Sequence, residues 1–389
     1  MQSIKKIIKG NIRESAMGIA LVAIIILFQL LTKGFLLKPL NVTNLILQNG
    51  YVLILAMGML LLILSGGNID LSVGSVVAFI GAISGVLIVN NHMSVLLAIC
   101  ISLIIGLVIG AWQGAWIAFV KIPSFIVTLS GMLVFRGLTL VVLNGRTIGP
   151  FPKSFQMISS GFLTDMIPDG KYHIFTIILG VVFSVWVVVN ELLKNNQRKR
   201  YGFEMISKSK MLIKLFIGIA FINALSIMLA SYNGISIMML IIILLIFIYI
   251  FITKKSVFGR HIYAMGGNEK AAKLSGINTA KVLFAVVVNM GLLSALTGLV
   301  VAGRLNAASP KAGVGFELDA IAACFIGGAS TAGGIGTVIG AVIGALIMGT
   351  LNNGMSLLGV SIDWQQAIKG IVLLFAVAFD ILSKNKSRA

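Results

Sequence analysis

An all-α fold, a polytopic membrane bundle of about twelve spans, is predicted by three observations. The 389-residue chain is 58% hydrophobic and only 11% charged, with a mean hydropathy of +1.07, where a soluble domain is about one quarter charged. Apolar runs of roughly 17 to 25 residues, each enough to cross a hydrocarbon core of about 30 Å, recur from one end of the sequence to the other. The 30 Lys and Arg residues gather in a few short gaps between those runs. No water-soluble surface can be assembled from such a mixture.

The runs lie at 15–37, 48–66, 70–89, 95–119, 124–143, 172–193, 211–230, 236–253, 282–303, 317–329, 335–358 and 364–383. The first follows Lys5, Lys6, Lys9 and Arg13 in the manner of a signal peptide, but it continues without a small-residue cleavage site and reads as an uncleaved span. The tenth is about half a usual span. It predicts a broken or re-entrant helix, which is tolerated where protein or a water-filled cavity covers its open backbone.

Charge sets the expected orientation. With the N-terminus inside, 21 basic residues fall in inner segments, including Lys121 and the stretches 194–214 and 254–281, and seven fall in outer ones: Lys33, Lys38, Arg146, Lys153, Lys171, Arg304 and Lys311. That bias in short loops places both termini in the cytoplasm. The excess of 30 Lys and Arg over 11 Asp and Glu is thereby explained without nucleic acid, since no aromatic-rich basic surface accompanies it. Cys100 and Cys324 sit in apolar runs with no CxxC partner, so neither a disulfide nor a zinc site is expected.

Two halves of the chain echo each other. Gly106, Gly110 and Gly114 recur every four residues in the fourth run, as do Gly336, Gly340 and Gly344 in the eleventh, the spacing of a flat strip on which helices approach closely. Each strip follows a polar, acidic break: Gly66-Gly67-Asn68-Ile69-Asp70-Leu71-Ser72 in one half, Gly315-Phe316-Glu317-Leu318-Asp319 in the other. Residues 48–143 and 282–383 are therefore read as two four-span units of opposite orientation, the arrangement of many transporters. Asn68, Asp70, Ser72, Glu317 and Asp319 stand where helices begin, so they are expected to cap free N–H groups or, alternatively, to face the translocation pathway. Arg136 and Lys369, charges within apolar runs, are expected to pair internally, with Asp70 the candidate partner of Arg136. Asn352, Asn353, Gln113 and Phe125 are further candidates for the pathway. The outer segment from Arg304 to Gly315 is a surface linker or a contact for an external partner.

The segment 254–281 is too long for a tight turn. Glu269 to Leu274 are helix formers after Asn268, a natural N-cap, and Gly276 is placed to end the helix. A short cytoplasmic helix follows from that pattern. Ala271-Ala272 followed by Gly276 resembles the Ala-Ala-x-x-x-Gly core of the coupling loop in ABC importer permeases, although Glu269 is displaced by one residue from the fuller pattern and no Ile-x-Leu-Pro follows. Gly67 to Ser75, Pro123 to Leu129, Gly266 to Asn278, Glu317 to Ala323 and Asn352 to Met355 resemble ribose-type permeases, and the length and the material at 172–230 make the chain most similar to the xylose or multiple-monosaccharide type.

The resemblance implies the permease subunit of a binding-protein-dependent monosaccharide importer in the bacterial cytoplasmic membrane, with 172–230 as an inserted helical hairpin. It implies as partners a second permease copy, a cytoplasmic ABC ATPase, an extracytoplasmic sugar-binding protein and membrane lipid. It makes Gly267, Asn268, Glu269, Ala271, Ala272, Gly276 and Ile277 the ATPase-coupling residues, Ala271, Ala272 and Gly276 as a small surface seated in a groove and Glu269 paired with a base there. The chain has no Gly-x-x-x-x-Gly-Lys-Ser/Thr loop, so ATP and Mg are expected on the ATPase, with no cofactor and no catalytic residue here. An ion-coupled symporter and a permease for a branched amino acid are the competing readings. A membrane enzyme has less support: His92, His173 and His261 form no metal pattern.

Overall fold

The computed structural model describes residues 12–165, 172–201 and 208–388. Lys5, Lys6, Lys9 and Lys171 lie outside the described residues, as do the side chains of Arg13, Lys199, Lys208, Lys210, Lys384, Lys386 and Arg388. The chain is all-helical apart from two isolated β-bridges, Ile148 with Ala308 and Phe162 with Ser236, among the described residues. Its helices are α1 (Ile12–Leu31), α2 (Pro39–Leu64), α3 (Val73–Gly85, continued by a π turn, Val86–Asn90), α4 (Val95–Ala118), α5 (Ser124–Leu143), α6 (Lys153–Ser160), α7 (Ile174–Arg200), α8 (Lys208–Ala230), α9 (Ile237–Lys255), α10 (Val257–Gly267), α11 (Glu269–Leu274), α12 (Thr279–Leu305), α13 (Phe316–Ile326), α14 (Val338–Leu357) and α15 (Ile362–Arg388). Each of the twelve expected runs holds a helix, and nine helices among the described residues are long and apolar enough to cross a membrane.

The boundaries differ where polar residues or glycines intervene. α1 stops at Leu31 rather than 37, because the chain turns through Lys33 and Gly34 at φ +52° and +86°. α2 begins at Pro39 rather than 48, since the polar Asn41, Thr43 and Asn49 are buried within the bundle instead of forming a surface loop. α13 is confirmed as short, 11 residues or about 16 Å. α6 falls outside every expected run; it is an amphipathic helix of about two turns whose Phe155 is fully buried.

Apolar content does not decide which helices are central, because lipid is as apolar as leucine. Burial of the apolar window is 83% in α2 but 17% in α7 and 11% in α8, so the 172–230 hairpin is peripheral. Small residues make the difference. α4 lies against α12 with Gly106 over Gly291 and Ala295; a Cβ on Gly110 would stand 2.8 Å from the Val288 Cα. α2 packs in turn on α12, α13 and α14, and α12 packs on α3 and α4.

The second glycine strip is not the counterpart of the first. Helix starts in the two halves are offset by 240 (39 to 279), 243 (73 to 316 and 95 to 338) and 238 (124 to 362). At an offset of 243 the equivalent of Gly106 is Gly349, which faces Asn49 on α2 as Gly106 faces Ala295 on α12. Gly340 and Gly344 instead face the backbone of Gly327 and Ala323 around α13, and Gly336 precedes α14 altogether, in the turn capped by Thr337.

Candidate functional site

Residues 256–281 are fixed by a succession of caps. The Ser256 hydroxyl accepts from the Gly259 N–H at 3.0 Å to open α10. Asn268, extended at φ −158°, interrupts the helix, and its Oδ1 accepts from the Ala271 N–H at 3.0 Å to start α11, as its side chain predicts. Gly276 at φ +84° ends α11, with Gly276 N–H donating to Lys273 O and Ile277 N–H to Ala272 O. Asn278 then caps α12 through the Lys281 N–H at 3.0 Å. The short helix α11 is therefore bounded by the Asn268 side-chain cap at its start and by the Gly276 turn at its end.

Within the segment, Glu269 has partners of its own, and Ala272 departs from the expected small-residue surface. Glu269 is engaged within the segment: Lys273 Nζ lies 2.7 Å from its Oε1 and the Thr279 hydroxyl donates to the same oxygen at 3.1 Å. The Lys273 hydrogen bond holds the Glu269 carboxyl below the ordinary carboxylate range, against a smaller opposing effect of burial. Ala272 is buried at 4% exposure and faces the bundle, because helix periodicity turns it away from Ala271. The outward surface comprises Ala271, Ser275, Gly276 and Leu274, the last 91% exposed. Behind α11 a cavity of about 500 Å³ opens between Asn68, Lys121, Ser124, Lys273 and Asn278. This is the basic end of the bundle.

The two acidic breaks meet deeper in. Gly74 at the start of α3 and Gly313 before α13 are in backbone contact, leaving no room for a Cβ on either. α3 runs from there to Gly85, against Ala308 and Ile148 at the far end, while α13 runs the other way. α13 covers only about 16 Å at 1.5 Å per residue, well short of a hydrocarbon core of about 30 Å, so its start lies within the bundle, where the start of α3 meets it. Their positive N-terminal ends attract the acids placed beside them.

The acids there have different roles. Asp70 Oδ1 accepts from the Ser72 N–H and hydroxyl, both at 2.7 Å, and Gln113 Nε2 donates to the Ser72 oxygen at 2.8 Å. Asp70 thus satisfies the N–H at the start of α3, and Asn68 Nδ2 turns back to the Ser65 hydroxyl at 3.3 Å. Asp319 is no cap. Its Oδ2 accepts from Tyr51 Oη, from Lys369 Nζ at 3.0 Å and from Asn352 Nδ2 at 3.4 Å, which ties α13 to α2, α15 and α14. Lys369 pairs internally as expected; Arg136 does not reach Asp70 and instead donates to Pro310 O at 3.1 Å and Ala312 O at 2.8 Å, holding the turns before α13. Glu317 lies beside Gly74.

Asn353 exchanges amide hydrogen bonds with Asn41 at 2.9 and 3.1 Å, which makes it a clasp between α14 and α2. Asn352 donates also to Asn49 Oδ1 at 3.4 Å. Phe125, 52% exposed, faces outward from the α5 surface. Sequence reasoning missed Tyr51, Asn41 and Asn49; the polar residues at 41, 43 and 49 just ahead of an apolar run were the available signal. No group of three His, Cys, Asp or Glu among the described residues could hold a metal ion. The arrangement sets a short capped helix at the basic end and brings the starts of α3 and α13 together within the bundle.

Comparison with known proteins agrees in scope with this geometry. The family described as branched-chain amino acid transport system / permease component matches residues 41–377. The xylose transport system permease protein XylH of Haemophilus influenzae is 39% identical over 376 residues, covering 97% of this chain and 98% of the relative. The Escherichia coli K12 XylH is 38% identical, covering 97% and 94%. The ribose import permease protein RbsC of Bacillus subtilis is 38% identical over 371 residues, 95% and 94% of the two chains. No solved structure matches.

Proposed function

The chain belongs to the branched-chain amino acid transport system permease family, and from that premise we propose that it is the membrane-spanning permease subunit of an ATP-driven importer for a xylose-like monosaccharide. The observation that carries the reading is the 39% identity to a xylose permease over 97% of the chain, a span that includes both acidic breaks and the capped coupling segment. The chain performs no chemistry of its own in this reading. ATP and Mg are bound by a separate cytoplasmic ATPase, and an external binding protein selects the sugar and delivers it.

In mechanism, α11 presents Ala271, Leu274, Ser275 and Gly276 to the ATPase, while Glu269 and Lys273 stiffen the helix from within. The basic end faces the cytoplasm, with both termini, in a bacterial cytoplasmic membrane. Residues 48–143 and 282–383 act as inverted units. Their contacts support that division: α2 packs on α13 and α14 as α12 packs on α3 and α4, and α3 meets α5 as α13 meets α15. α3 and α13, which start together at Gly74 and Gly313, form the element that opens alternately to each side, and a second copy of the chain supplies the other wall of the path.

The test is accumulation of labelled solute by cells producing this chain with its ATPase and binding protein, using xylose, ribose and leucine in parallel. Xylose or ribose accumulation above cells lacking the chain is expected. Accumulation of leucine alone would replace the sugar reading with the amino acid one that the family description names.

A further inference from the structure

The sequence has four diglycine pairs, and three of them, Gly66-Gly67, Gly266-Gly267 and Gly333-Gly334, converge at the basic end although they are distant in the chain. A Cβ on Gly333 would stand 2.7 Å from Gly66 Cα, and one on Gly334 would stand 2.8 Å from Gly267 N. One on Gly266 would stand 2.6 Å from Gly334 N and would collide with the Leu64 carbonyl. That carbonyl accepts a 3.0 Å hydrogen bond from Gly334 N–H. Beside it, Tyr263 on α10 donates to Gly336 O at 2.8 Å.

Gly66, Gly67, Gly333 and Gly334 all have positive φ, which by itself favours glycine. Gly266 does not, so close approach is what its lack of a side chain serves. Side chains in contact can change rotamer and absorb a displacement; backbones in contact with an intersegment hydrogen bond cannot. The three segments lead to different places. Gly66-Gly67 follows α2 and opens the break before α3, Gly333-Gly334 lies in the loop from α13 to α14, and Gly266-Gly267 ends α10 at the coupling helix.

We infer that this diglycine joint is the transmission element of the permease, passing displacement of the coupling segment to α3 and α13 at once. The inference rests on the reading of residues 257–278 as the ATPase-coupling segment. Gly266→Ala is the discriminating wedge, because alanine suits the backbone there and only the close approach is lost.

The measurement is sugar uptake per ATP hydrolysed, in proteoliposomes holding the chain, its ATPase and its binding protein, together with recovery of the assembled complex. Gly266→Ala is expected to assemble and to hydrolyse ATP while uptake per ATP falls at least tenfold. Gly137→Ala, at a glycine with nothing within 4 Å of its Cβ, serves as the control within twofold of native. Tyr263→Phe removes the bond to Gly336 without adding an atom, and is expected to lower uptake per ATP several-fold with assembly intact; it carries the test should Gly266→Ala fail to assemble. Native uptake per ATP in an assembled Gly266→Ala complex, or in Tyr263→Phe where the former does not assemble, overturns the joint. Uptake by the native chain without ATP is a different failure, because it removes the coupling reading itself.

Discussion

Replacing Lys369 with Met isolates the interaction that ties α13 to α15. Lys369 Nζ is 3.0 Å from Asp319 Oδ2, and the two side chains are 19% and 1% exposed. At that distance the pair attraction is about 5 kcal/mol for an effective dielectric of ~20. Removing one member of a buried pair costs ~3–5 kcal/mol, because the remaining charge keeps its desolvation penalty; the partial exposure of Lys369 places the expectation near the lower figure. Tyr51 and Asn352 still donate to Asp319, so the loss is that of the cation alone. Denaturant unfolding of purified protein in mixed micelles is the assay, with Lys369→Met, Asp319→Asn and the double variant. The double variant keeps an acceptor for Tyr51 and removes the orphaned charge, so it should recover at least half of the single-variant loss. A cost below about 1 kcal/mol for Lys369→Met, or no recovery in the double variant, would refute the reasoning.

Gly110→Leu should cost more than ~3 kcal/mol and lower the yield of folded protein, since the Cβ meets the Val287 and Val288 backbone at 2.8–2.9 Å and no rotamer relieves it; near-native unfolding would contradict the packing. Asn268→Ala should cost about 1 kcal/mol through loss of the α11 cap, read as faster hydrogen exchange at Ala271 and Ala272, while exchange in α12 stays unchanged. Because the Glu269 carboxyl is held below its usual range by Lys273, its contribution is fully present above the unfolded carboxylate pKa of about 4.3 and is lost only as pH falls through the lower folded value. Exchange protection of α11 should therefore be flat from pH 8 to 5 and decline beneath that window, and Glu269→Gln should abolish the decline.

Much of the architecture was legible because a span declares itself by length and apolarity, and each expected run contains a helix. The half-length of α13 could be read from the polar Glu317 and Asp319 on one side and Gly327-Gly328 on the other. The caps Asn268 and Gly276 were equally local, and cap chemistry depends on only a few neighbouring residues.

Partnerships across the bundle were not local and so were not legible. Asp70 and Asp319 both precede or open a helix, yet one bonds the Ser72 N–H two residues on and the other reaches three different helices. Nothing in the spacing distinguishes them. Arg136 was matched to Asp70 because charge suggests charge, whereas its hydrogen bonds go to the carbonyls of Pro310 and Ala312 in the turns before α13 and the acid acting on it is Glu317. The glycine strips misled for a related reason. A four-residue period marks a close approach without naming the neighbour, and Gly340 and Gly344 approach α13 while Gly106 and Gly110 approach α12. Ala272 illustrates the smallest such error, since a motif written in one line places on one surface residues that a helix turns to opposite sides.

The most direct measurement is pentose uptake into proteoliposomes containing the chain, its ATPase and its binding protein, with ATP sealed inside, comparing the native chain with Gly276→Asp. Gly276 sits at φ +84° with nothing within 4 Å of its Cβ, so aspartate strains the end of α11 without a clash in the bundle. The account predicts uptake that requires internal ATP and both partners and collapses in the variant while the chain still assembles. Uptake by the chain alone, driven by a proton gradient without ATP, would contradict it.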